Sequence, residues 1–418
     1  MTRRSLSLIV TALREGLFCR PEPSPKLSSP PFRQEACTRA ATKTYRIITK
    51  WKQECILFSV SGILYSVFSL GSETHLYLSE ELGVGPGVIS FFPRQRFVEA
   101  GVSLPNQLEF HFENALEERA IISACRGMDF LLVLPAYPLI SARVVENIPS
   151  IRMIQILGSG YDKVDVESAA RMGIPVANSP GHNATTVAEF TVALIIALQR
   201  RFLLADREVK CGRYAEARER FFELGLTEVS ETHLGLLGFG MIGRKVAELA
   251  RILGSQVSYY DIQRAPRYLE AEKGVTFKPL DLLLSESNVL SLHLRLTKQT
   301  RELLGRRELK LMPRGALLIN TARGELVHQR ALAEALEEGH LAGAAVDTVW
   351  PEPPPQDHPL LSLSPAAKDR LLMTPHIGGI TRGALRRVFT ASFENLLGVA
   401  AGEPPRNVVN GVPDVRTP

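Results

Sequence analysis

The sequence predicts an α/β protein with two domains, each built on a doubly wound parallel sheet. Three observations lead to this prediction. The chain has 418 residues, which is too many for one ordinary core. From residue 85 onwards, short apolar runs alternate with amphipathic stretches, as in parallel sheets made of right-handed βαβ units. These runs form two series, and a long apolar stretch separates them.

The expected strands are apolar runs of three to five residues, with helical patterns between most neighbours. The first series has strands at residues 88–92, 108–112, 130–134, 153–157 and 175–178. The second series has strands at residues 234–237, 256–260, 288–292, 316–319, 343–346 and 371–373.

Residues 1–84 differ in composition from the rest. The first 50 residues hold ten Lys and Arg against three Glu, which leaves a net charge of about −2 for the remaining chain. The pI near 8.9 therefore does not indicate a nucleic-acid surface. We expect a basic extension that is disordered or dispensable. A transit peptide and an over-long reading of the gene remain alternatives, and the apolar run at 55–70 is too short and too rich in serine to predict a membrane span.

The five cysteines are scattered and form neither a CxxC pair nor a His/Cys cluster. This argues against a disulfide scaffold and against a structural zinc site, so no metal is expected. The pattern is typical of a reducing compartment, and we expect a cytoplasmic protein.

The stretch between the two series, "NATTVAEFTVALIIALQRR", predicts a helix to about Arg200. Thr186 and Glu189 have the spacing of a capping box, so the helix is expected to begin there. Because the helix is apolar nearly all round, it must be buried between domains or between subunits.

The segment "HLGLLGFGMIGRKVAELARILGSQVSYYD" carries the most specific motif. A buried strand leads into Gly238-x-Gly240-x-x-Gly243, and a helical stripe follows. Such glycines form the tight turn, admit a pyrophosphate and let helix pack on strand, while free amides at the helix start bind the phosphates. This predicts a Rossmann-like dinucleotide site that includes Met241 and Ile242.

The second strand of this segment ends in Asp261, 18 residues after Gly243. An acid at this position binds the ribose hydroxyls and repels a 2′-phosphate, which favours NAD over NADP. Arg264 lies three residues further on and is able to relieve that repulsion, so NADP remains an alternative.

Three polar side chains follow strands of the second series. Arg323 ends "ALLINTAR", His376 ends "LLMTPH", and Glu352 lies among prolines in "DTVWPEPPPQDHPLL". Ligands of open α/β sheets bind at the carboxyl ends of the strands, so Arg323 and His376 are candidates for a site there, and Glu352 gains weight only if a partner for it is found. Taken alone, each residue also has an interpretation without a functional role: Arg323 as a pairing arginine, His376 as a loop histidine and Glu352 as a solvated surface acid.

In "GSGYDKVD", "GIPVANSPGHNATTVAEFTVALIIAL", "LGLLGFGMIGRKVAELA", "LMPRGALLINTARGELV", "AGAAVDTVWPEPPPQDHPL" and "LMTPHIGGIT", the chain resembles the D-isomer-specific 2-hydroxyacid dehydrogenases. This family includes phosphoglycerate dehydrogenase, and the resemblance covers about residues 85–410. It implies a catalytic trio of Arg323, Glu352 and His376, with His376 as the acid–base, Glu352 as its partner and Arg323 binding the substrate.

The resemblance also implies the organisation around that trio. The active site would lie in a cleft between a substrate domain, 85–182 completed by 377–418, and an NAD-binding domain, 183–376. The helix from Thr186 would be a homodimer contact. The substrate carboxylate would bind the backbone of Ser159 and Gly160. The nicotinamide half of the cofactor would lie against Thr297, Thr321, Ala322 and Asp347.

The chain departs from the family pattern at three places. Pro135-Ala136 stands where members acting on phosphoglycerate tend to have Arg-Ser. Trp350 replaces a usually acidic or small residue, and Arg295 replaces a common proline. We therefore expect an NAD-dependent oxidoreductase that interconverts a small, unphosphorylated D-2-hydroxy acid and its 2-keto acid. The alternatives are a phosphoglycerate dehydrogenase proper, an NAD(H)-sensing protein like the family's co-repressors, and a structural protein without cofactor.

Overall fold

The structure, a computed structural model, describes residues 85–415 and the backbone of four strands between residues 45 and 78. By its internal contacts the chain divides into two compact units, Met1–Gly83 and Val84–Pro418. The four strands belong to the first unit and pair antiparallel in chain order; they are β1 (Tyr45–Ile48), β2 (Cys55–Val60), β3 (Ile63–Leu70) and β4 (Glu73–Leu78). These strands were not predicted, and the apolar run at 55–70 supplies two of them. The remainder of the predicted extension lies outside the described residues.

The first parallel sheet has five strands in the order β6-β5-β7-β8-β9. They are β5 (Gly87–Ser90), β6 (Glu109–Phe112), β7 (Phe130–Val133), β8 (Met153–Ile156) and β9 (Val176–Ala177). The strand order reverses between β5 and β7, as in other doubly wound folds.

The second parallel sheet has seven strands in the order β12-β11-β10-β13-β14-β15-β16. They are β10 (His233–Leu237), β11 (Gln256–Tyr260), β12 (Thr276–Phe277), β13 (Val289–Leu292), β14 (Leu317–Asn320), β15 (Gly343–Val346) and β16 (Leu371–Met373). Strands β10 to β15 follow the dinucleotide-binding order 3-2-1-4-5-6, with the switch point between β10 and β13. The prediction of two Rossmann-like parallel-sheet domains is thus confirmed.

Fourteen α-helices in the described residues connect and cover these strands. In chain order they are α1 (Arg94–Glu99), α2 (Glu118–Ala124), α3 (Ala142–Glu146), α4 (Val166–Arg171), α5 (Ala184–Gln199), α6 (Phe202–Lys210), α7 (Tyr214–Leu224), α8 (Met241–Ile252), α9 (Arg267–Lys273), α10 (Leu280–Glu286), α11 (Arg306–Leu311), α12 (Gln329–Glu337), α13 (Pro365–Lys368) and α14 (Arg382–Ala400). No helix among them is long and apolar enough to cross a membrane.

Two long helices link the sheets. Apolar residues of α5 pack with β10, β14 and α8 on one face of the seven-stranded sheet. The last helix, α14, returns to the five-stranded sheet, where Phe389 and Phe393 pack with Phe97 and Phe130. The sheets therefore share one compact unit whose chain crosses between them twice. The exact limits of the two domains stay a prediction.

The predicted capping box at the start of α5 is wrong. The helix begins at Ala184 with Asn183 as its N-cap, so Thr186 and Glu189 already lie inside it. The hydroxyl of Thr186 is instead 3.3 Å from that of Thr381, at the start of α14. The Thr186 side chain, which the sequence pattern assigned to the helix end, makes a tertiary contact instead.

Candidate active site

Arg323, Glu352 and His376 come together because their strands are neighbours. β14, β15 and β16 lie side by side and parallel, so their carboxyl ends meet at one edge of the sheet. Arg323 lies three residues after β14, Glu352 follows β15, and His376 follows β16. The resulting site faces the loop after β8, which comes from the five-stranded sheet.

His376 and Glu352 form a hydrogen-bonded pair. Nδ1 of His376 lies 3.0 Å from Oε1 of Glu352 and 3.3 Å from Oε2. Burial raises the pKa of Glu352, but the hydrogen bond and charge of His376, with the charges of Arg323 and Lys163, outweigh it. The pKa of Glu352 therefore lies below its ordinary value. The carboxylate is thus ionised at neutral pH.

The backbone of His376 is held by Asp347. His376 has a φ of 55°, in the left-handed region, and its amide donates to the carbonyl of Asp347 at 2.8 Å. The buried carboxylate of Asp347 accepts from the hydroxyl of Thr374 at 2.6 Å and from the amides of Ile377 and Gly378 at 2.9 Å each. One carboxylate therefore sets the shape of the loop that presents the imidazole.

Arg323 lies against the loop after β8. A Cβ added to Gly160 would overlap its guanidinium, which places Gly160 in direct contact with it. Nε of Arg323 donates to Asp162 at 2.9 Å, and Nη1 donates to the carbonyl of Ala322. The carbonyl of Ser159 accepts from the side chain of Asn178 at 2.7 Å. The expected substrate-binding residues Ser159, Gly160 and Arg323 are therefore neighbours.

The glycine motif forms the turn between β10 and α8. Gly238 has a φ of 100°, and a Cβ there would lie 2.7 Å from the backbone of His293. A Cβ on Gly243 would overlap the carbonyl oxygen of Gly238, so helix and turn pack closely. A Cβ on Gly240, by contrast, would meet nothing within 4 Å. The open space lies at the start of α8, where Met241 and Ile242 contribute free first-turn amides.

Asp261 follows β11 beside this turn. Its Oδ2 accepts from the amide of Phe239 at 2.8 Å, which joins the acid to the glycine motif. Arg264, which the sequence left open as a 2′-phosphate ligand, forms an ion pair with Glu270 on α9 instead.

The remaining predicted cofactor residues occupy three nearby positions. Thr297 lies in an exposed turn after β13, where its hydroxyl is 3.2 Å from that of Thr300. The hydroxyl of Thr321 lies 3.0 Å from that of Thr191 on α5. The amide of Ala322 donates to the side chain of Asn320 at 3.1 Å. Their contacts with the cofactor, like that of Asp347, stay predictions.

Comparisons with known proteins agree with this architecture. A family model for the D-isomer specific 2-hydroxyacid dehydrogenase NAD-binding domain matches residues 192–378. The glyoxylate reductase of Korarchaeum cryptofilum (strain OPF8) is 38% identical over 326 residues, which cover 76% of this chain and 95% of the relative. The chain belongs to the D-isomer-specific 2-hydroxyacid dehydrogenase family.

Solved structures are similar over the same part of the chain. The TT0316 protein of Thermus thermophilus aligns with a TM-score of 0.65 and 33% identity, covering 77% of this chain and 99% of that one. A D-lactate dehydrogenase of Aquifex aeolicus, complexed with NAD and lactic acid, aligns with a TM-score of 0.66 and 27% identity over 76% of this chain and 96% of that one. Together with the family model, these matches establish that the chain is an NAD-dependent D-2-hydroxyacid dehydrogenase.

The residues present fit the dinucleotide of this family. Gly240 leaves an open cradle, the first turn of α8 offers amides to a pyrophosphate, and Asp261 stands at the end of the neighbouring strand. Among the described residues, no group of three or more His, Cys, Asp or Glu could hold a metal ion.

Sequence reasoning missed two parts of this dehydrogenase site. Asp162 holds Arg323, and the only available signal was an acid two residues after Gly160 in "GSGYDKVD". Trp350 was noted as a departure, but its two cationic neighbours, Lys163 and Arg301, were not. These residues come from loops far apart in the sequence, so spacing alone carried no signal.

Proposed function

We propose that this dehydrogenase uses NADH to reduce small, unphosphorylated 2-keto acids to D-2-hydroxy acids, and catalyses the reverse reaction. The observation that carries the proposal is the 3.0 Å hydrogen bond between His376 and Glu352 at the strand ends that also present Arg323. The pair supplies a proton donor, and the arginine supplies a binding group for a carboxylate.

In this mechanism the proton moves through His376. Its Nδ1 is engaged by Glu352, which leaves Nε2 to meet the substrate oxygen. When bound, NADH supplies the hydride that reduces C2. The protonated imidazole gives its proton to the carbonyl oxygen, and in oxidation the neutral ring removes the hydroxyl proton. Glu352 stabilises the charged ring and fixes its orientation.

Arg323 orients the substrate in the same site. Its planar guanidinium grips the carboxylate and polarises the C2 oxygen. The backbone of Ser159 and Gly160, which lies against Arg323, offers amides to that carboxylate. Asp162 accepts from Nε and so limits the directions that the guanidinium can take.

The surroundings of the site favour a substrate without phosphate. Pro135 packs on Gly158, beside the Ser159–Gly160 backbone, and contributes neither an N–H nor a charge. Trp350 is 41% exposed, and the cations of Lys163 and Arg301 lie 5.3 and 5.7 Å from its ring centroid. Both cations contact the indole, which lowers their availability to a phosphate.

The names of relatives point in the same direction. Relatives up to 38% identical are named glyoxylate reductase, whereas one at 34% is named D-3-phosphoglycerate dehydrogenase, and this chain covers 56% of that relative. We therefore propose glyoxylate and hydroxypyruvate as the first substrates to measure.

Steady-state kinetics with NADH test the proposal. We expect kcat/KM for glyoxylate or hydroxypyruvate to exceed that for 3-phosphohydroxypyruvate about tenfold or more, because one missing charged contact is worth about 1.5–3 kcal/mol. A preference for the phosphorylated acid would indicate a phosphoglycerate dehydrogenase proper. Tight NADH binding without turnover of any keto acid would indicate an NAD(H)-sensing protein.

We also propose that the enzyme is a cytoplasmic homodimer. Large apolar side chains are exposed on α6 and α7, directly after α5, and include Phe202 (53%), Leu203 (61%) and Phe222 (71%). Exposed apolar patches of this kind are typical of protein interfaces. Light scattering should give the mass of a dimer, and Phe222→Glu should weaken it. A monomeric wild-type protein would contradict the proposed dimer. Recovery of the protein in an organelle fraction would contradict the proposed cytoplasmic location.

A further inference from the structure

Arg264 is the sequence's candidate for binding the 2′-phosphate of NADP. It follows Asp261 by three residues, where a cation can neutralise the repulsion between that acid and a 2′-phosphate. In the structure, however, its guanidinium pairs with Glu270. Nε donates to Oε1 of Glu270 at 2.8 Å, and Nη2 donates to Oε2 at 2.8 Å. This is a bidentate pair, the strongest geometry for an arginine and a carboxylate.

Glu270 is itself fixed. The residue is 8% exposed on α9, and its Oε1 also accepts from the hydroxyl of Tyr259 at 2.7 Å. Tyr259 is fully buried, and its hydroxyl accepts from the amide of Ala265 at 2.8 Å. Its ring stacks on Phe239 of the glycine motif at 4.2 Å. The acceptor for Arg264 is therefore built into the core beside the cofactor turn.

The charges around Asp261 follow from this arrangement. Glu270 neutralises Arg264, whose side chain is 49% exposed, and Asp261 has no ion-pair partner among residues 85–415. Arg244, on the first turns of α8, is engaged separately, since its Nε donates to the carbonyl of Phe239 at 2.9 Å. The arginine nearest to Asp261 in sequence is thus paired with another carboxylate.

We propose that Glu270 is a positioning residue for cofactor choice: by holding Arg264 on α9, it lets Asp261 exclude the 2′-phosphate of NADP. The inference concerns the adenosine end of the site and is independent of which keto acid is reduced. Without the carboxylate, Arg264 would carry an unpaired charge on a half-exposed side chain within the same loop as Asp261.

Cofactor binding without substrate tests the proposal. The dissociation constants of NADH and NADPH are measured by fluorescence titration for wild type, Glu270→Gln and the matched control Glu272→Gln. Glu272 lies on the same helix and pairs with Lys273 at the surface. We expect Glu270→Gln to tighten NADPH on the order of tenfold, a change of about 1.4 kcal/mol. The affinity for NADH should change less than about twofold, and the control should resemble wild type.

Two further variants complete the test, and Arg264→Leu alone keeps it decisive if Glu270→Gln folds poorly. Arg264→Leu in the wild-type background should leave NADPH affinity unchanged, because the arginine is already held away. In Glu270→Gln combined with Arg264→Leu, the gain in NADPH affinity should disappear. An unchanged NADH to NADPH ratio in folded Glu270→Gln would overturn the proposal. So would a loss of NADPH affinity in Arg264→Leu alone, or a gain that persists in the double variant and so belongs to Arg244.

Discussion

His376 depends on two carboxylates that act on different parts of the residue. Glu352 contacts the ring at Nδ1, whereas Asp347 holds the backbone: its carbonyl accepts from the amide of the left-handed His376, and its carboxylate accepts from the amides of the next two residues. The more exposed acid contacts the imidazole itself, and the buried acid holds the loop that presents it. The two acids, five positions apart, therefore differ both in burial and in the part of His376 that they contact.

We expect the charge of Glu352 to affect the pH dependence of the enzyme. In Glu352→Gln the imidazolium loses its ionised partner, so reduction of a keto acid, which needs the protonated ring, should shift to lower pH. The pH profile of kcat/KM for glyoxylate reduction measures the shift. Asp357→Asn removes an exposed acid from the same loop and serves as the control. If both variants follow the wild-type profile, Glu352 is a solvated surface acid.

At the scale of elements, we expect two glycines near the turn between β10 and α8 to have different roles, one in folding and the other in cofactor binding. Gly243 is needed because helix and turn touch, whereas Gly240 faces open space. The sequence motif predicts all three glycines equally, since it records only their spacing. The structure distinguishes them by what a Cβ would meet.

Alanine at these two glycines should therefore give opposite results. Gly240 has a backbone that alanine adopts freely, so Gly240→Ala should keep the wild-type free energy of unfolding. Its methyl group would occupy the cradle and weaken NADH binding about tenfold or more, about 1.4 kcal/mol. Gly243→Ala should lower the free energy of unfolding by about 1–3 kcal/mol, with up to about 1 kcal/mol returned by helix propensity. Urea unfolding and NADH titration measure both, and equal behaviour of the two variants would contradict the assignment.

Helix α9 should contribute to stability in a pH-dependent way through Glu270. The hydrogen bond from Arg264 lowers the pKa of Glu270 from 4.5 to about 2. A depressed carboxyl pKa stabilises the fold above the unfolded value and loses that contribution as pH falls through the folded value. The difference in unfolding free energy between wild type and Glu270→Gln should be full near neutral pH and shrink between pH 4.5 and about 2. A difference that stays constant over this range would contradict the ion pair.

At the scale of the whole molecule, periodicity predicted the two parallel sheets because buried parallel strands are nearly continuous apolar runs. It missed β12, which has two residues and no such run, and β1–β4, whose segment was judged by composition alone. Arg323 and His376 were candidates because each follows a strand of the second series, and the family resemblance added Glu352 and the proposed catalytic roles. Asp162 and the contact of Thr186 with Thr381 were not predicted, because both join loops or helix ends that only tertiary packing brings together.

The chain also divides at the point where composition changes. The compact unit with both parallel sheets begins at Val84, and every predicted site residue lies within it. A chain beginning at Val84 should stay soluble, dimeric and active, because no motif precedes that residue. Light scattering and glyoxylate reduction measure this, and aggregation or lost activity would show that residues 1–83 are required.

The most direct test of the proposed chemistry is His376→Gln, assayed for glyoxylate reduction and, separately, for NADH binding. A positioned general acid–base is worth about 10²–10⁴-fold, so turnover should fall at least about 10²-fold. The affinity for NADH should stay at the wild-type value, and His111→Gln, an exposed histidine on β6, should be fully active. Wild-type turnover in His376→Gln would contradict the assignment of the proton shuttle to this residue.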